Sequence, residues 1–194
     1  MILARKFVLL AVIGQAACGA SSKPVAPKPS ICPKPEAKEG AAEEKKFELG
    51  KPPLPSGLVC LRWPMPDFRR VSSGFMDPKH TFTPGKHDGT DMPAPVGTSV
   101  LAAAAGEVLW TREVAPCQDA AVAVDIGEGW SLEVHHLSRV DVGKGEKIVP
   151  GRRLGLSGGA VDAPGSGPWT TGPHLHFMLV HEGAYVDAAK YLCP

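Results

Sequence analysis

From about residue 58 to the C-terminus, apolar and polar side chains alternate in short runs separated by turns rich in Gly and Pro. A period of two sends successive side chains to opposite faces of a strand, so these runs predict half-buried β-strands. In Trp130-Ser131-Leu132-Glu133-Val134-His135-His136-Leu137, the alternation puts Trp130, Leu132, Val134 and His136 on one face and Ser131, Glu133 and His135 on the other. The two adjacent histidines then cannot serve one purpose, and His136 is the better candidate for a site. In His174-Leu175-His176-Phe177-Met178-Leu179, the two imidazoles share a wall while Leu175, Phe177 and Leu179 point into apolar packing. Thr171-Gly172-Pro173 is the turn that begins this strand. Ala121–Ile126 predicts another strand, ahead of the turn Gly127-Glu128-Gly129. Ser99–Ala105 leading into Gly106–Trp110 predicts two more, although the alanine run also has helix propensity. Strands joined by Gly-rich turns imply mainly antiparallel sheets, and the expected fold class is all-β.

The N-terminal pattern is different. Arg5 and Lys6 precede the apolar run Phe7–Ile13, and small residues lead to Ala16-Ala17-Cys18. Such a run is too short to span a bilayer and reads as a leader for export, residues 1–18. The arrangement resembles a bacterial lipoprotein signal, with Cys18 as the lipid-anchored residue, although Gln15 stands where leucine is usual. Residues 19–57 are rich in Pro, Ala, Lys and Glu and have too few large apolar residues to bury a core, which predicts an extended spacer. Residues 58–194 form the expected folded domain.

The chain has 194 residues and a formal net charge of +1, too balanced to suggest nucleic acid as a partner. If Cys18 carries lipid, Cys32, Cys60, Cys117 and Cys193 remain. An even number in an oxidising compartment allows two disulfides in any of three connectivities, and pairing of Cys193 would fasten the C-terminus.

Candidate chemistry gathers on histidines and carboxylates. His87 and Asp91 are four positions apart across Gly89, in a stretch where Pro84, Gly85, Pro93 and Pro95 disfavour a helix, so a loop or strand edge must bring them together. His87-x-x-x-Asp91, Ala94-Pro95-Val96-Gly97-Thr98, Gly106-Glu107-Val108, His136-Leu137-Ser138 and Gly172-Pro173-His174-Leu175-His176-Phe177 occur in the order and spacing of the LytM/lysostaphin-type (M23) zinc peptidases. The chain resembles that family from Val71 to about Leu192. The resemblance implies an open-groove β domain with one Zn2+ per chain, held by His87, Asp91 and His176, and with His136 and His174 as catalytic groups. Three protein ligands with one open position describe catalytic zinc, which lowers the pKa of bound water to about 7. Either imidazole could then take the proton or stabilise the oxyanion.

The resemblance also implies a zinc metalloendopeptidase acting on peptidoglycan stems or cross-links, and the leader pattern adds export to the cell envelope, periplasmic and membrane-anchored through Cys18. The alternative is a catalytically silent regulator of the same fold that binds or activates a cell-wall hydrolase. Either reading leaves room for a regulatory protein partner. A D-Ala-D-Ala-type carboxypeptidase, superficially suited by Glu133-x-x-His136, would leave the His-Leu-His strand unexplained. His80 and His181 have no partner at a telling spacing, and Asp88 is expected to be exposed or to support a ligand. Met76-Asp77 and the long segment Leu156–Trp169 depart from the family pattern and predict altered cleft walls.

Overall fold

The computed structural model describes residues 31–33 and 45–194. The leader with Cys18, and most of the spacer, lie outside the described residues. Among the described residues, the body consists of strands and turns with one short 3-10 helix, Ala188–Tyr191, as the alternating patterns predict. Its strands are β1 (Lys46–Glu48), β2 (Thr90–Pro93), β3 (Ser99–Leu101), β4 (Gly106–Arg112), β5 (Ala121–Gly127), β6 (Trp130–His135), β7 (Leu137–Val140), β8 (Lys147–Ile148), β9 (Arg153–Ser157), β10 (His174–His181) and β11 (Ala184–Val186).

Seven strands form the path β1-β11-β10-β6-β5-β4-β8, β2 pairs with β10 to make an eight-stranded sheet, and β3-β9-β7 form a second sheet. Adjacent strands are antiparallel except β1 and β11, which run parallel. Val122, Val124, Leu132, Val134, Leu175, Phe177 and Leu179 of the large sheet share one core with Val100, Leu137 and Leu154 of the small one. Fully burying such a side chain contributes roughly 1.5–3 kcal/mol, enough to lock strand register, because a one-residue slip would expose the whole set.

The alanine run is neither strand nor helix beyond Leu101. Ala102, Ala103 and Ala104 are buried in a bend, where small side chains permit close packing and tertiary contacts override helix propensity. Part of the stretch expected to be spacer joins the fold. β1 adds to the edge of β11, with the Phe47 ring 5.8 Å from Phe75 and 6.0 Å from Tyr185. Among the described residues there are two disulfides, Cys32–Cys117 and Cys60–Cys193. The second closes the domain ends on each other, supported by Trp63 Nε1 donating to Cys193 O at 2.8 Å.

Candidate active site

Strand register creates the centre of the site. Asp91 of β2 and His135 of β6 both stand directly opposite His176, one on each side of β10. His174, His176 and Met178 share the trough-facing side of β10, while Leu175, Phe177 and Leu179 are fully buried on the core side. His87 arrives from the preceding loop. Gly89 is required on that path, because a Cβ there would lie 2.7 Å from the His176 ring and 2.8 Å from Met178 Cγ.

The residues expected as ligands converge. His176 Nδ1 is 2.8 Å from Asp91 Oδ1 and 3.2 Å from His87 Nε2, and His87 Nε2 is 3.3 Å from the same Asp91 oxygen. Donors about 2.0–2.2 Å from a tetrahedral zinc are separated by about 3.3 Å, so the three atoms fit such an ion. Their opposite edges are occupied: His87 Nδ1 donates to Gly74 O at 2.7 Å, and His176 Nε2 lies 3.3 Å from Asp88 Oδ1. With a metal bound, these contacts would keep the ring protons on the outer edges and leave the lone pairs directed inward. Asp88 therefore supports His176, and in turn receives Lys45 Nζ from the segment leading into β1.

The electrostatics follow from this clustering. Burial opposes ionisation of Asp91, yet hydrogen bonds from His176 and His87 hold its carboxyl well below the usual carboxylate range. Burial likewise opposes charge on His176, but Asp88 and Asp91 raise its pKa to about 9 in the metal-free protein. Burial, reinforced by nearby His136, lowers the pKa of His174.

His136 and His174 face each other with ring centroids 4.7 Å apart, and His174 Nε2 is 3.6 Å from Asp91 Oδ1. The position of His136 has a different origin from the one its alternation predicts. Continued as a strand, it would enter the core beside Val134; instead β6 ends at His135, and His136 takes the left-handed backbone conformation, φ 60°. That turn swings its ring into the trough, so both adjacent histidines line it.

Sequence spacing missed four participants. His80 stacks on His87 at 4.0 Å and 10°, with Nε2 3.7 Å from Asp91 Oδ2, so its donor atom groups with those of His87 and Asp91 as a possible metal cluster. Its Nδ1, however, accepts from Thr83 N at 3.1 Å, which leaves the proton on Nε2 facing Asp91 when the ring is neutral. His176 Nδ1, 2.8 Å from Asp91 Oδ1 and 3.2 Å from His87 Nε2, makes the tighter set with those atoms, whereas His80 Nε2 stands 3.7 Å from the other Asp91 oxygen. Asp119, Glu133 and His135 form the opposite wall: His135 Nδ1 is 2.5 Å from Asp119 Oδ2 and its Nε2 3.1 Å from Glu133 Oε2. Burial disfavours a charged His135, but these two carboxylates keep its pKa raised. The period-two pattern placed Glu133 and His135 on one face; no local pattern marks Asp119 or His80, which come from loops.

Two cavities of about 530 and 330 Å3 meet at His80, Phe82, Asp91, Trp169 and His174, so the trough continues to both sides of the convergent donors. Trp169, from the long segment before β10, meets Phe82 edge-on at 5.6 Å and forms part of this outer wall.

Residues 85–188 match Peptidase family M23. Peptidoglycan DD-endopeptidase ShyA of Vibrio cholerae is 36% identical over 137 residues, covering 69% of this chain and 30% of ShyA. Protease LasA of Pseudomonas aeruginosa is 37% identical over 90 residues, covering 46% of this chain and 20% of LasA. A crystal structure of a zinc-containing peptidase from Vibrio cholerae superposes with a TM-score of 0.56 at 30% identity, over 70% of this chain and 41% of that one. The chain thus spans less than half the length of each of these relatives. Apart from Lys45, His80, Phe82 and Thr83, the lining of the larger cavity lies inside the matched span, and the chain belongs to peptidase family M23.

Proposed function

We propose that this protein is a zinc metalloendopeptidase that cleaves peptide bonds in peptidoglycan stems or cross-links. The observation that carries this reading is the convergence of His87 Nε2, Asp91 Oδ1 and His176 Nδ1 beside two further imidazoles. Those three atoms would hold one Zn2+, which when bound supplies Lewis acidity for attack of water on a peptide carbonyl. His174 Nδ1 is held by Gly172 O at 2.7 Å, leaving the Nε2 lone pair toward Asp91 as a proton acceptor. With His136 across the trough, the pair can take the proton of the attacking water and return one to the leaving amine. A trough open to both sides of these groups suits a bond inside a longer chain better than a terminal one. The relatives' names, a DD-endopeptidase of peptidoglycan and a protease, support the substrate class.

Export to the cell envelope, with a lipid at Cys18, is part of the same proposal. Its supports are the leader pattern and two disulfides, which persist in oxidising compartments. Digestion of purified sacculi with metal-loaded protein, followed by mass spectrometry, tests activity and bond choice together. Muropeptides with newly freed peptide ends are expected. If none are released under any metal condition, the chain is instead a silent regulator of a cell-wall hydrolase.

A further inference from the structure

Asp119 stands outside the three-atom cluster proposed for the metal, yet both of its oxygens are engaged by the protein. Its Oδ1 accepts from the main-chain N–H of His136 at 2.8 Å and stands 3.2 Å from His136 Nδ1. Its Oδ2 contacts His135 Nδ1 at 2.5 Å and accepts from Arg112 Nη1 at 3.0 Å. Both oxygens are thus committed to the protein, which leaves little capacity for substrate. Glu133, by comparison, contacts His135 through one oxygen, at 3.1 Å.

The backbone that carries Asp119 is held as closely as its side chain. Asp119 bridges to Gly165 and Ser166, Gly167 N donates to Gln118 O at 3.1 Å, and Cys117 is crosslinked to Cys32. Gly165 admits this packing because a Cβ there would meet Leu137 O at 2.1 Å. A carboxylate fixed from both directions can impose geometry on its neighbour.

His136 needs such a neighbour on two counts. Its left-handed backbone is uncommon for a residue with a side chain, and the hydrogen bond from its main-chain N–H to Asp119 holds the turn that swings the ring out of the core. Its Nδ1 is buried and forms no hydrogen bond within the described residues, although Asp119 Oδ1 is at hydrogen-bonding distance and only misaligned. A buried polar nitrogen without a partner is costly, so this atom is expected to keep its proton directed at that carboxylate.

We propose that Asp119 is the positioning residue for His136: through the main-chain N–H it holds the left-handed turn, and through Nδ1 it fixes the ring tautomer that turns the Nε2 lone pair to the trough. A carboxylate that fixes an imidazole tautomer is a familiar device of hydrolytic sites on unrelated folds. The inference rests on the reading of His136 as a proton-carrying group of the proposed peptidase. His135, pinned between Asp119 and Glu133, is the brace that stops Asp119 from rotating away.

The test compares full-length wild type with Asp119→Asn and Asp119→Ala, using long-range 15N–1H spectra of the histidine rings, zinc content and sacculus hydrolysis. Wild type should show His136 protonated on Nδ1. Asp119→Asn keeps an acceptor for the main-chain N–H and should fold with full zinc content, yet lose tautomer purity and about 100-fold or more in kcat, with KM within about twofold. An Nδ1–H tautomer and a kcat both unchanged in Asp119→Asn would overturn the proposal, and that variant decides the matter even if Asp119→Ala fails to fold. Should wild type itself release nothing from sacculi, the peptidase reading fails, while the tautomer shift between wild type and Asp119→Asn still decides the role of Asp119.

Discussion

The two sides of the trough are built by different means. On the β10 side, Asp91 and His176 are cross-strand neighbours, and the register of β2 on β10 is locked by the burial of Met92, Leu175 and Phe177. On the other side, His136 leaves its strand through a left-handed residue and is held by a carboxylate from a separate loop. One side gets its precision from sheet geometry, shared over many residues. The other depends on a few polar contacts, so single substitutions there should disturb the arrangement without unfolding the domain. The comparison predicts that metal binding and proton transfer separate under mutation.

The largest expected effect is from Asp91→Ala, which removes the oxygen shared by His87 and His176. Elemental analysis should find the protein largely stripped of zinc, and sacculus hydrolysis should fall to background; retention of a full equivalent of zinc would break the proposed division. Next, His174→Ala should keep its zinc while losing about 10²–10⁴-fold in turnover, the range of a general acid–base group. Loss of metal in this variant would show that the two functions are not separable along β10. Asp88→Asn should act in between, through the ring of His176. Weaker support of that imidazole predicts a 10–100-fold loss in zinc affinity by chelator competition, with the domain still folded.

The smallest effect is a pH dependence of the metal-free protein. His176 is raised from 6.5 to about 9, so its charge contributes stability that is fully present below pH 6.5 and lost as pH rises through about 9. Thermal unfolding should therefore show a lower Tm at pH 9 than at pH 6.5 without metal. Zinc displaces the same proton, so the decline should shrink in the loaded protein. An identical Tm at both pH values in the metal-free state would remove the ionic account of this wall.

Legibility in the sequence divides along the same line. The faces of β10 follow from period two alone, and so do the buried Trp130, Leu132 and Val134 of β6. Alternation fails at His136, where one positive φ reverses the direction of the ring, and a pattern of hydrophobic residues does not record backbone handedness. His80 and Asp119 are placed by loops whose paths depend on tertiary contacts, such as the stacking on His87 and the Cys32–Cys117 crosslink. The family resemblance supplied His87, Asp91 and His176 as a set. It did not supply Asp88, Lys45 or the Asp119–His135–Glu133 wall, which only the folded chain brings together.

The Cys32–Cys117 bond also has a mechanical side. Tension applied to the chain ahead of residue 32 reaches the folded body by two parallel routes, the backbone that follows and the covalent bridge to Cys117. The bridge is the shorter route, so β1 and the His80 loop, both between the two cysteines in sequence, are relieved of load. A pull on the chain ahead of residue 32 would be delivered at Cys117, two residues from Asp119, while β2, which carries Asp91, lies within the bypassed segment.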